Sequence, residues 1–162
     1  EGTGTLHGLE VRRVVSALEM YDAVMEESDW ASCVVKAAAV GDYRARDRSP
    51  RKIKREGRET VSIELEQNPD IAAEVGRRKR PGQVLIGFAA ETDDLLENAR
   101  AKMERKGLDL IVANDVLAPG CGFGADTNTV RVLSRDGETV LSGSKEEVAD
   151  GVWDLVAGRG LF

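Results

Sequence analysis

From Cys33 to Val40 the chain is apolar at every position except Lys36, and the run stops at Gly41-Asp42. An unbroken apolar stretch of that length is expected of a strand covered on both faces, which is the situation inside a parallel sheet. Parallel strands need crossover connections, usually helices, so the rest of the chain should alternate strand with helix. With 162 residues, 41% of them hydrophobic, there is material for one core, and a single domain over 1–162 is expected.

The flanking sequence fits this frame. Val11 to Ala17 reads as a short strand, and Ser16 with Glu19 has capping-box spacing ahead of a helix through about Glu27. Val61 to Glu66 alternates with period two and is expected to be an edge strand with one wet face. Asn68-Pro69-Asp70 supplies a cap residue, a proline for the first helical position and an acid near the positive helix end, so a helix to about Arg78 follows. Val84 to Ala90 is a further strand. Thr92 opens a helix striped by Leu95, Leu96, Ala99 and Met103 and closed by Gly107, and Leu108 to Ala113 is the next strand. Strands near Thr129–Leu133 and Glu138–Leu141 are joined by Ser134-Arg135-Asp136-Gly137, and Ser144 with Glu147 starts a last helix ending near Gly158. The expected fold is therefore α/β: a doubly wound, mostly parallel sheet with helices on both faces and a C-terminal β-hairpin at the edge.

Charge and cysteine usage narrow the function. No apolar stretch is long enough for a membrane span, the start lacks the blocks of a signal peptide, and the cytoplasm is the default location. Cys33 and Cys121 fit no metal spacing, and Cys33, within an apolar run, reads as a structural thiol. His7, the single histidine, has no partner for triad chemistry. The net charge of -6 disfavours nucleic acid on average, yet residues 44–58 hold eight Lys or Arg against two acids. This basic island is either a solvated loop or an anion site.

In an open parallel sheet, ligands bind beyond the carboxyl ends of the strands. Three such ends carry small or polar residues: Ala38 to Asp42, Gly87 to Glu91, and Asn114-Asp115. Small residues there admit a planar base or merely allow close packing, and Asp42 either holds a hydroxyl or makes a turn. Lys102 and Lys106 lie roughly 40° apart on their helix, beside the apolar stripe, and either snorkel outward or point at a polyphosphate. Lys52 and Lys54 point the same way if the segment is extended, as a flap over a triphosphate would require. Gly120 to Ala125 matches G-x-G-x-x-A, but a strand follows where a dinucleotide fingerprint needs a helix.

Taken in order, Ala38 to Arg44, Lys52 to Lys54, Asn68 to Ile71, Gly87 to Thr92, Lys102 with Lys106, and Asp109 to Asp115 resemble the phosphopantothenate-cysteine ligase family, and Phe123, Asn128 and Ser144-Lys145 extend the match. The resemblance implies a Rossmann-like fold and a ligase that uses CTP with Mg2+ to join 4'-phosphopantothenate to cysteine through an acyl-cytidylate, in coenzyme A biosynthesis. Carried over by motif, Ala38, Ala39, Asp42, Asn68, Pro69, Asp70, Ile71 and Phe88 would form the cytidine pocket. Lys52, Lys102 and Lys106 would hold the phosphates, with Lys52 the catalytic cation. It further implies a homodimer and fusion behind a flavin-dependent decarboxylase, with no flavin site in these residues. Two departures stand out. Gly41 replaces the family's usual alanine, and relative to the family the chain is truncated at its amino end, lacking a first strand, a glycine-rich turn and an Asn-containing segment. Two rivals remain: a Rossmann-type oxidoreductase, which lacks its phosphate fingerprint, and a nucleic-acid module built on 44–58, which has few aromatics for stacking.

Overall fold

The computed structural model describes residues 8–54, 57, 59–91, 95–115 and 127–158. His7, Cys121, Phe123, the helix start expected at Thr92 and the glycine-rich stretch 120–125 lie outside them.

Helix α1 (Ala17–Ser28) begins as its sequence dictates: the Ser16 hydroxyl accepts the Glu19 N–H at 3.2 Å, and the Glu19 carboxylate accepts the Val15 N–H at 2.8 Å. The Val15 N–H, and after it the Ser16 hydroxyl donating to the same carboxylate at 3.1 Å, hold the Glu19 carboxyl below its ordinary range. The strand expected just before it does not form. Val11 and Val15 are 66% and 86% exposed, only Val14 between them is half-buried, and residues 11–15 pair with no strand among the described residues, so the run has no ladder.

Strand β1 (Cys33–Lys36) is shorter than its apolar run. It pairs in parallel with β4 (Val84–Glu91) only from Cys33↔Val84 to Lys36↔Gly87, and residues 37–40 then leave the ladder. Ala37 to Ala39 are exposed, so the apolar run continues past the strand without being buried. The alternating segment 61–66 departs from expectation too. Only Leu65–Gln67 is a strand, β3, and its partner is β2 (Tyr43–Ala45) in a separate antiparallel pair, off the main sheet.

Helix α2 (Ile71–Arg78) is capped by Asp70, not Asn68: the Asp70 carboxylate accepts the Ala73 N–H at 3.1 Å. Asn68 is occupied elsewhere, donating its amide to the Gly41 carbonyl at 2.8 Å. Helix α3 (Leu95–Lys106) ends at Gly107, which takes φ +63°, the left-handed conformation that a terminating glycine supplies. Strand β5 (Leu110–Asp115) follows β4 in parallel, and then β6 (Thr127–Ser134) and β7 (Gly137–Ser144) form the expected edge hairpin. The last helix, α4 (Lys145–Ala157), carries a complete capping box between Ser144 and Glu147.

The main sheet has the order β1-β4-β5-β6-β7, with β1, β4 and β5 parallel and β6 antiparallel to β5. Helices α1, α2 and α3 cover one face through Met25, Val75, Ala99 and Met103, while α4 covers the other through Val148, Val152 and Val156. Leu85, Ile86, Leu110 and Ile111 between them are fully buried. Helices α2 and α3 meet at Gly76, where a Cβ would lie 2.0 Å from the Lys106 carbonyl oxygen; only glycine admits that approach. At the amino ends of β4 and β5, the Asp109 carboxylate accepts the Leu85 N–H at 2.7 Å and pairs with Lys79 at 2.7 Å. Cys33 is half-buried, and burial, followed by the Asp109 charge, pushes its thiol up, as befits an unreactive structural thiol. Among the described residues no helix is long and apolar enough to cross a membrane.

Candidate functional site

A cavity of about 310 Å³ opens beyond the carboxyl ends of β1 and β4, where an open parallel sheet is expected to bind its ligand. One wall is the backbone after β1, with Ala38, Ala39 and Asp42 on it, and the opposite wall is Asn68, Pro69, Asp70 and Ile71 ahead of α2. The walls are stitched together. Asn68 donates its backbone N–H to the Asp42 carbonyl and its side-chain amide to the Gly41 carbonyl, each at 2.8 Å. Arg44 fixes the same asparagine from outside, donating to Asn68 Oδ1 at 3.1 Å and to the Gln67 carbonyl at 2.8 Å. Asn68 and Arg44 thus order a wall made of small residues and exposed backbone, the kind of surface a flat heterocycle approaches closely.

The floor is cationic. The apolar stripe of α3 turns Ala99 and Met103 into the core, and Lys102 and Lys106, on the flank of that stripe, project over the sheet edge into the cavity. Lys102 Nζ donates to the Phe88 carbonyl at 3.3 Å, and Lys106 Nζ pairs with Asp70 at 2.9 Å. For Asp70 burial pushes the carboxyl up, but the Lys106 hydrogen bond, the Ala73 N–H and the positive charges nearby outweigh it, so its pKa lies below the ordinary range.

Ten of the eleven residues singled out from the sequence line this one cavity: Ala38, Ala39, Asp42, the four from Asn68 to Ile71, Phe88, Lys102 and Lys106. Lys52 does not. It sits in the exposed segment 51–54, which has no regular secondary structure, and is absent from the cavity lining. Conversely, the cavity holds a third lysine that sequence reasoning passed over. Lys36 looked like the one flaw in an apolar strand, and that very interruption was its signal.

A second cavity, of about 280 Å³, lies on the α4 face and is bordered by Phe88, Asn114, Asn128, Lys145 and Trp153. Asn114 Oδ1 is buried there with no hydrogen-bond partner among the described residues. An unsatisfied buried acceptor costs roughly 1–3 kcal/mol, which a ligand N–H would offset. No group of three His, Cys, Asp or Glu side chains among the described residues could hold a metal ion. The cavity carboxylates Asp42 and Asp70 are too few for a protein-only cage, though one carboxylate together with phosphate oxygens suits Mg2+.

The sequence model of the DNA/pantothenate metabolism flavoprotein C-terminal domain matches residues 3–159. The chain belongs to that family. Within it, the coenzyme A biosynthesis bifunctional protein CoaBC of Bacillus subtilis is 45% identical over 124 residues, 76% of this chain and 30% of that protein. The protein of the same name from Escherichia coli is 41% identical over 137 residues, 83% of this chain and 34% of that protein. The chain therefore spans about a third of the length of these relatives. The crystal structure of the C-terminal domain of a CoaBC protein superposes with a TM-score of 0.68 at 37% identity, covering 90% of this chain and 65% of that one. A flavoprotein of this family from Streptococcus pneumoniae shares the fold with a TM-score of 0.79 at 19% identity. The ligase-family resemblance and the α/β fold read from the sequence both hold.

Proposed function

We propose that this domain is the nucleotide-handling part of a phosphopantothenate-cysteine ligase in coenzyme A biosynthesis, and that its first cavity binds CTP as the magnesium complex. The observation that carries the reading is the inward turn of Lys102 and Lys106, which places cations on the floor of a cavity whose walls are small residues and exposed backbone. The wall from Ala38 to Asp42 and the segment from Asn68 to Ile71 embrace the cytidine, and the lysines face its phosphates. Asp42 is the cavity carboxylate left for Mg2+, since Asp70 is engaged by Lys106.

In the reaction proposed, the carboxylate of 4'-phosphopantothenate attacks the α-phosphate of CTP and pyrophosphate leaves; the cysteine amine then attacks the acyl carbon and CMP leaves. The residues contribute electrostatics and positioning. Lysines that neutralise charge on the phosphates lower the barrier to losing pyrophosphate, and no general base is needed for an ionised carboxylate nucleophile. Lys52, on the exposed segment 51–54, is the cation that closure of that segment would bring to the phosphates. The buried Asn114 acceptor on the other side of Phe88 is available to an amide or amine N–H of the acyl substrates.

The proposal extends to assembly. Tyr43, Val61, Ile63 and Leu65 on and beside the two-stranded sheet are 55–65% exposed, an apolar surface suited to a second copy of the chain in a homodimer. In the whole protein the domain would stand behind a flavin-dependent decarboxylase.

The test is calorimetric titration with Mg-CTP and, separately, Mg-ATP. Binding of CTP well above ATP is the expected outcome, and binding of neither refutes the cavity assignment. In the complete enzyme, Lys52→Ala is expected to lower turnover by about two orders of magnitude while leaving CTP affinity nearly unchanged. Unchanged turnover would remove Lys52 from the mechanism.

A further inference from the structure

Lys36 is the last residue of β1, on the side of the sheet that faces α2 and α3. Its partner in the ladder is Gly87, which has no side chain to compete for that space. A Cβ at Gly87 would lie 2.6 Å from Leu108 Cδ1, so a larger residue there would have to displace that side chain. The lysine stem lies at the boundary of the first cavity and an apolar pocket lined by Met20, Val24 and Leu85, which gives its methylenes a dry support. Its ammonium makes no hydrogen bond or ion pair among the described residues, unlike Lys102 and Lys106.

The charges facing Lys36 come from three directions: Lys102 and Lys106 from α3, Asp70 from the start of α2, and Asp42 from the segment after β1. Asp70 is bound to Lys106. Three ammonium groups against two carboxylates leave the cavity with one surplus positive charge, carried on a half-buried group with no partner of its own. Burying an ammonium without a partner is costly, and such a charge calls for a counter-ion.

We propose that Lys36 is a third phosphate-binding cation of this cavity, which engages the polyphosphate of the ligand directly beside Lys102 and Lys106. The assignment rests on the nucleotide reading above and adds to it a residue outside the ordered motifs that carry that reading. It has a second consequence. Burial first, then Lys106 and Lys102, lower the Lys36 pKa, against the weaker pull of Asp70 and Asp42. An incoming polyanion reverses that balance and raises the pKa again. In the pH range between the two values the free site has lost the proton and the occupied site holds it, so ligand binding takes up a proton through Lys36, and uptake grows as pH rises through the lowered value.

The experiment is titration with two ligands, Mg-CTP and inorganic tripolyphosphate, each in buffers of different ionisation enthalpy, so that the heat reports protons taken up. Three variants are compared after circular dichroism has confirmed that each is folded. Lys36→Met, which keeps the stem and drops the charge, is expected to weaken tripolyphosphate by about tenfold and to abolish the proton uptake. Lys36→Arg, charged at every pH used, is expected to bind within a fewfold of the parent without taking up a proton. A structural role alone would not produce that split. If Lys36→Met binds tripolyphosphate as the parent does while Lys106→Met weakens it, the proposal is overturned and the nucleotide reading stands. If the parent takes up tripolyphosphate through Lys36 and ignores CTP, the nucleotide reading fails and the anion site stands. If the parent binds neither ligand, both fall.

Discussion

The five-stranded sheet and the two-stranded pair beside it are held together by different physics. In the first, Leu85, Ile86, Leu110 and Ile111 are fully buried between two helical layers, and removal of apolar surface from water supplies most of the stabilisation. In the second, Tyr43 and Leu65 are exposed, and the pair is held by its ladder and by the ion pairs Arg44–Glu66 and Arg46–Glu64 on its surface. The first cavity lies where these two regions meet. Its floor comes from the rigid sheet and α3, and one of its walls hangs on Arg44 and Asn68 at the root of the two-stranded pair. A site built this way draws its cations from the buried sheet layer and its wall from a surface pair held by hydrogen bonds.

That contrast sets the size of the expected effects. Leu110→Ala, in the middle of the buried sheet, should cost about 2–5 kcal/mol in urea-induced unfolding, because it removes apolar contacts and leaves a void. A cost under about 1 kcal/mol would mean that the sheet is not the stable region. Gly76→Ala should cost about 1–3 kcal/mol despite alanine's better helix propensity, because its Cβ would collide with the Lys106 carbonyl oxygen. It should also weaken CTP binding by displacing Lys106 from the cavity floor. A variant that loses stability yet keeps affinity would show that the floor is not coupled to the helix crossing. Arg46→Ala, on the two-stranded pair, should change stability by less than about 1 kcal/mol, and the change should vanish in high salt. A larger effect would place the pair within the cooperative core.

The same contrast explains what could be read from the sequence. Local chemistry was legible: the Ser16 cap, the capping box at Ser144, the hairpin at Ser134–Gly137 and the α3 stripe through Ala99 and Met103 are all decided by residues close together in the chain. Pairing was not. Val11 to Val15 has the composition of a strand but no neighbour, and 61–66 has the alternation of a strand although only its end finds a partner, in β2 and not in the sheet. The α2 cap moved from Asn68 to Asp70 because Asn68 has a stronger tertiary engagement with Gly41. In the site, small residues at strand ends and the paired lysines of α3 were visible as oddities of pattern. Lys36 was masked because one polar residue in an apolar run is ordinarily ignored, and its direction depends on which strand lies beside it.

Asp109 joins β5 to β4 through the Leu85 N–H and to the end of α2 through Lys79, at the end of the sheet opposite the cavity. The end of the sheet away from the cavity is thereby tied by one part-buried carboxylate, and the cavity end by Asn68 and the Lys106–Asp70 pair. In hydrogen exchange, the amide of Leu85 should open only with the whole domain, whereas the amides from Ala37 to Gly41, outside the ladder, should open by local fluctuation.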